Sequence, residues 1–159
     1  MKKKRVLGVF DIGKNNKKFL LLDRQLDIIE KTVIQLPETI DEDLYPCEDE
    51  LLLRDWMLSC YANVMNHRQY QLVGLNFSAY GATFIHLGIN GNAICPIYNY
   101  LKPYDEKMQL SLYDKYGGKQ SFCLATASPA LGHLNSGLTL YWLKQQRPEI
   151  FKTIDVSLH

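Results

Sequence analysis

Residues 5–36 read RVLGVFDIGKNNKKFLLLDRQLDIIEKTVIQL, and the spacing of apolar residues in them decides the fold. Residues 5–12 and 18–23 are two apolar runs, and 26–36 alternates well enough to be a third, more exposed strand. The connections, KNNKK and Arg24-Gln25, are too short for a crossover, so neighbouring strands must run antiparallel and form a three-stranded meander. Asn15 and Asn16 suit the first turn because asparagine tolerates left-handed backbone angles. They do not account for Asp11. A carboxylate at the end of a buried strand must be solvated, paired or bound to a cation. Lys17 reads as part of a solvated hairpin tip, and Lys18 as the basic residue with a task.

Residues 37–48, PETIDEDLYPCE, are acidic, contain two prolines and read as a loop. Asp49 is placed to cap a helix running to about Arg68, with Leu52, Leu53, Trp56, Met57, Cys60, Val64 and His67 on one face. Residues 70–77 form a further strand, which makes the class α/β. The pattern breaks at Ser78-Ala79-Tyr80-Gly81-Ala82. Asn90-Gly91 between the apolar runs 83–88 and 93–97 predicts a hairpin. A helix is expected over 104–116, ended by Gly117-Gly118, and another over 136–146 capped by Asn135. Pro148 begins a short turn, and 153–159 reads as an apolar element.

The chain has 159 residues, 47% hydrophobic and 22% charged, as expected of one soluble globular domain. Eighteen basic residues against seventeen acidic ones give no global pull toward nucleic acid or an anionic membrane. The basic start, Met1-Lys2-Lys3-Lys4-Arg5, reads as a solvated terminus. There is no apolar run long enough to span a bilayer and no secretory signal, so the expected location is cytoplasmic. Cys47, Cys60, Cys95 and Cys123, like the four histidines, lack metal-ligand spacing and read as reduced packing residues.

Strand, Asp-x-Gly, tight turn, basic residue and second strand together describe a phosphate site. Glycine lets backbone N–H groups approach phosphate oxygens, a lysine adds charge, and one carboxylate suits Mg²⁺, which keeps most of its waters. FDIGKNNKKFLLLD (10–23) resembles the first phosphate-binding hairpin of the FGGY carbohydrate kinases, of the actin, Hsp70 and sugar-kinase superfamily. Residues 74–81 and 87–96 resemble that family's second stretch, and 138–151 (LTLYWLKQQRPEIF) its helix-and-turn.

The resemblance implies a ribonuclease H-like (actin-like ATPase) domain, with a mixed sheet opening in the antiparallel meander and helices packed on it. It implies ATP and Mg²⁺ as cofactors and a small-molecule sugar as substrate. Asp11 carries over as the magnesium-proximal carboxylate, Gly13 as the phosphate-approach glycine and Lys18 as the basic contact. Lys14 and Asn15 stand where the family has Thr-Thr. Ser78, Ala79, Tyr80 and Gly81 match the segment contacting substrate hydroxyls. Asn99 and Tyr100 could contribute hydroxyl and ring contacts, and Asp105 is either the family's sugar-site aspartate or a helix cap. Residues 1–159 are then expected to be a single N-terminal domain of a chain about three times longer, catalytically silent alone, with the general-base aspartate beyond His159. Two alternatives stand beside this. One is a non-catalytic sugar- or nucleotide-binding module derived from a kinase. The other is a ribonuclease H-like nuclease, disfavoured because Phe77-Ser78-Ala79-Tyr80 holds no acid and the first helix supplies only Glu50 and Asp55.

Overall fold

A computed structural model describes residues 3–159, so Met1 and Lys2 of the basic start lie outside the described residues. The chain divides into two compact units. Unit 1 is the described part of Met1–Thr39 together with Glu48–Tyr80, and unit 2 is Ile40–Cys47 together with Gly81–His159.

Unit 1 opens with β1 (Lys4–Ile12), β2 (Lys17–Leu22) and β3 (Ile28–Ile34). They pair antiparallel in sequence order, with Asp11 opposite Lys18 and Leu20 opposite Lys31. Residues 37–48 are not the expected loop. Glu38–Ile40 (β4) and Pro46–Glu48 (β5) pair as a two-stranded ribbon. The proline and acids that suggested a loop are accommodated because a short ribbon needs few ladder hydrogen bonds. Helix α1 (Glu50–Met65) follows, with the Asp49 side chain accepting from the Leu52 N–H, a cap worth about 1 kcal/mol. Leu53, Cys60 and Val64 are buried on its inner face, and Trp56 and Met57 pack beside them. Leu52 and His67 depart from the expected face: Leu52 is exposed, and His67 lies past the helix end with its ring stacked on Tyr70. Strand β6 (Tyr70–Ala79) runs parallel to β1 and completes the order β3-β2-β1-β6. The core lies on the sheet face carrying Val6, Phe10, Ile12, Phe19 and Leu21, against α1. Phe10 touches Phe19, Trp56 and Phe77 at ring distances of 4.5–5.5 Å.

Unit 2 contains β7 (Ile85–Leu87), α2 (Glu106–Lys115), α3 (Lys119–Thr126), a 3₁₀ turn at Gly132–Leu134, α4 (Ser136–Gln146), α5 (Pro148–Lys152) and β8 (Val156–Leu158). The Asn90-Gly91 turn is present, closed by Gly88 N–H to Asn92 O, with Gly91 at φ +73° where glycine carries no Cβ penalty. Its second arm does not continue as a strand. One bridge joins Leu87 to Ala93, and β7 takes its ladder from β8 instead. Pro96 offers no N–H to extend the local arm, which leaves β7 to the chain's final segment. Helix α3 was not legible in the sequence. Asn135 does stand at the start of α4, but its side chain accepts from the Leu131 N–H and leaves the helix uncapped. Tyr98, Met108, Trp142 and Leu143 form this unit's core.

Candidate functional site

The β1–β2 hairpin ends beside the carboxyl end of β6, with Asp11 opposite Lys18 on one side and opposite Ser78 on the other. Ligands of open α/β sheets commonly bind outside the carboxyl ends of parallel strands, and this hairpin lies at the carboxyl ends of β1 and β6. Gly13 closes the turn, its N–H donating to Asn16 O at 3.0 Å. A Cβ there would stand 2.8 Å from that same oxygen, which accounts for glycine locally.

The charged groups are arranged in three pairs. Lys18 Nζ is 2.7 Å from Asp11 Oδ2, with both side chains more than a third exposed. Lys14 Nζ pairs with Glu38. Both pairs reach solvent, the first through both side chains and the second chiefly through Glu38, and are therefore worth no more than about 1 kcal/mol each. Asn15 is exposed at the tip. The third pair differs in kind. Lys17, expected to be solvated, is 1% exposed and lies 2.7 Å from Glu48, itself 4% exposed. The reason is strand period: Lys17 shares the inward face of β2 with Phe19 and Leu21.

The residues expected on the sugar side divide between the units. Ser78 and Ala79 are exposed at the end of β6, and the Tyr80 hydroxyl donates to Glu48 Oε2 at 3.2 Å. Gly81, Asn99, Tyr100 and Asp105 belong to unit 2. Asn99 is buried and uses both ends of its amide on backbone, donating to Pro46 O and accepting from Leu101 N–H. Asp105 caps α2 through the Lys107 N–H, at 2.9 Å.

Unit 2 holds a second charged constellation that sequence reasoning missed. Lys102 is buried, pairs with Asp41 and, at 2.6 Å, with Asp43, and lies just over 5 Å from the centres of the Tyr98 and Trp142 rings. Arg147 holds Glu42 and Asp43 at 3.1 and 2.7 Å, and the Tyr98 hydroxyl donates to Glu42. Burial opposes the charge on Lys102, but the two aspartates outweigh it and raise its pKa. Lys102 holds Asp43 below the usual carboxylate range, with help from Arg147. His133 lies within the same group, 3% exposed, with its ring against Tyr104 and Trp142 and its Nε2 without a partner. Burial, reinforced by the Lys102 charge, pushes its pKa down to about 4. The only signal in the sequence was the density of acids at 41–43, which composition assigns to a loop.

A concavity of about 570 Å³ between α2, α3 and α4, walled by Tyr113, Tyr116, Phe122, Leu138 and Tyr141, contains none of the expected site residues. Among the described residues there is no group of three acidic, histidine or cysteine side chains arranged for a metal, and no helix long and apolar enough to cross a membrane.

No protein-family model matches the sequence, and neither does any curated protein. Solved structures do match the backbone. A gluconate kinase from Lactobacillus acidophilus superposes with a TM-score of 0.77 at 16% identity, over 98% of this chain and 31% of its own. A carbohydrate kinase from Novosphingobium aromaticivorans gives 0.73 at 22% identity, over 92% and 30%. The fold is that of carbohydrate kinases. The glycerol kinase of Plasmodium falciparum, solved with ADP, agrees: TM-score 0.73, 16% identity, 94% of this chain and 30% of that one. The present chain thus spans about 31% of the length of such kinases, and it resembles in fold the N-terminal portion of the FGGY type.

Proposed function

We propose that the chain is the phosphate-binding N-terminal portion of an ATP-dependent carbohydrate kinase, with a ribonuclease H-like, actin-like ATPase sheet in unit 1. The whole protein would transfer a phosphoryl group from ATP to a hydroxyl of a monosaccharide or ketose in the cytoplasm. The observation that carries this reading is the hairpin at the carboxyl end of β1, where Asp11, Gly13 and Lys18 converge beside parallel β6.

The residues present fit a nucleotide phosphate with its cation. Lys14 and Lys18 are held by solvated carboxylates that a phosphate can replace, and Asn15 offers an exposed amide donor. Released from Lys18, Asp11 would supply one of the one or two carboxylates that hydrated Mg²⁺ commonly uses. The metal, when bound, neutralises charge on the phosphate oxygens. Ser78 and Ala79 border the hairpin through the β1–β6 register and are the sugar-side positions expected at the end of β6. Gly81, Asn99, Tyr100 and Asp105 remain the expected sugar-side positions of unit 2. The general base is assigned to a part of the protein beyond His159, so residues 1–159 alone should bind without turning over.

Calorimetric titration of the 159-residue chain with Mg·ADP tests this. Lys18→Met should weaken binding about tenfold, as expected for loss of a charge-assisted contact, and Asp11→Asn should remove the magnesium dependence. Absence of any nucleotide heat at millimolar concentration, or binding indifferent to Lys18→Met, would refute it. A second reading, a non-catalytic sugar- or nucleotide-binding module, draws support from Lys14 and Asn15 at the Thr-Thr positions and from the Lys14–Glu38 pair. A full-length protein that binds sugar but phosphorylates none would select it.

A further inference from the structure

Lys17 calls for an explanation that hairpin chemistry does not provide. Lys17 Nζ donates to Glu48 Oε1 at 2.7 Å and to the carbonyl oxygen of Lys14 at 2.9 Å, and also lies 2.7 Å from Glu48 Oε2, which leaves little for water to satisfy. Glu48 Oε2 in turn accepts the Tyr80 hydroxyl, and the Tyr80 N–H donates to Ile12 O at 2.9 Å. The sequence Lys14 carbonyl, Lys17, Glu48, Tyr80 thus joins the second residue of the hairpin turn to the residue that follows β6. A buried ion pair is seldom more stabilising than an apolar pair of the same volume. Its use at this position therefore points to geometry rather than to stability.

The two grips on Lys14 are unlike. Its side chain is held by a solvated partner, Glu38, that can be exchanged, whereas its carbonyl is held by a cation sealed from water. A ligand can therefore recruit the Lys14 ammonium without disturbing the path of the turn.

We propose that Lys17 is a positioning residue of the hairpin: it holds the Lys14 carbonyl directly and, through Glu48, the Tyr80 hydroxyl in one arrangement, so that hairpin and Tyr80 respond together. This rests on the reading of the hairpin as a phosphate loop. It makes Tyr80 a buttress of the nucleotide side as well as a sugar-side residue, and it gives Glu48 a role.

Amide hydrogen exchange on the 159-residue chain, with Mg·ADP calorimetry beside it, tests the proposal. In Lys17→Met, amides 13–18 and that of Tyr80 should exchange about tenfold faster, as for loss of a charged hydrogen bond. Amides within α1 should keep their protection, and Mg·ADP affinity should fall by a similar factor. Tyr80→Phe leaves the Lys17–Glu48 pair in place and removes one donor, so the same hairpin amides should exchange about threefold faster. This milder variant keeps the test readable if Lys17→Met does not fold. Hairpin amides unchanged in Tyr80→Phe, or α1 amides accelerated as much as the hairpin, would overturn the proposal. If wild-type chain binds no Mg·ADP while the coupled exchange appears, the phosphate reading fails and the mechanical coupling stands.

Discussion

His133 should make unit 2 sensitive to mild acid. Its imidazole is buried against Tyr104 and Trp142, with Lys102 as the nearest cation and no partner on Nε2, and its pKa falls from 6.5 to about 4. The folded state thus resists a proton that the unfolded chain takes up readily. Stability from this group is full above pH 6.5 and is lost as pH falls toward the folded value. Between pH 7.5 and 5.0 the loss is about 2 kcal/mol, from the ratio of unfolded to folded proton-binding polynomials with these two values. Other groups bear on the same window in known directions. His86 is also pushed down by burial and adds a loss of the same sign. Asp43 and Glu42 have lowered pKa values and so give up their share only at lower pH. The discriminating quantity is therefore the difference between wild type and His133→Leu, which removes the titration and the unpartnered nitrogen together. The chain has two tryptophans, Trp56 in unit 1 and Trp142 about 6.0 Å from the His133 ring. In a Trp56→Phe background, urea unfolding followed by Trp142 fluorescence reports unit 2. Wild type should lose about 2 kcal/mol more than His133→Leu between the two pH values. Parallel loss in the two proteins would refute the reasoning.

Lys102→Met should destabilise unit 2 by about 3–5 kcal/mol, because Asp41 is left as a buried, unpaired charge; urea unfolding of the variant checks it, and a change within error would show that Asp41 reaches water. Cys95 has its thiol pushed up to about 11 by burial and by Glu42, so only about a thousandth of it is ionised at pH 8. Alkylation of the native protein followed by peptide mass spectrometry should label Cys123 first, with Cys95 slow and the buried Cys47 and Cys60 protected until denaturant is added.

The parts of the fold that could be read in advance are those whose signal is local. The alternation through 5–36, the Asp49 cap and the Asn90-Gly91 turn each depend on residues a few positions apart, and each is present. Long-range choices were not legible. Nothing near Ile85–Leu87 announces a ladder with Val156–Leu158, some seventy residues on, and the acids at 41–43 look solvated until Lys102 and Arg147 are folded against them. Lys17 is a different kind of miss. The period that placed Phe19 and Leu21 inward also placed Lys17 there, and only the habit of putting lysine in water hid it. At the site, Asp11 and Lys18 pair across the hairpin as strand register predicts, while Asn99 and Asp105 have local hydrogen-bonding tasks that a single sequence cannot separate from ligand contacts.

Unit 2 is assembled from two separated lengths of chain, because Ile40–Cys47 belongs with Gly81–His159. During synthesis the acidic strap leaves the ribosome long before its cations: Lys102 follows Asp41 by 61 residues, and Arg147 follows Glu42 by 105. Until then the strap's carboxylates can only be solvated. Unit 1, by contrast, is complete in sequence once Tyr80 has emerged. The order of translation thus favours a nascent chain in which the β1–β2 hairpin is already shaped while the strap hangs as a hydrated, negatively charged tether. That tether is fastened in two stages, first when Lys102 reaches Asp41 and Asp43 and last when Arg147 reaches Glu42 and Asp43, so trimming the chain before Arg147 should loosen the strap at Glu42 while sparing the hairpin.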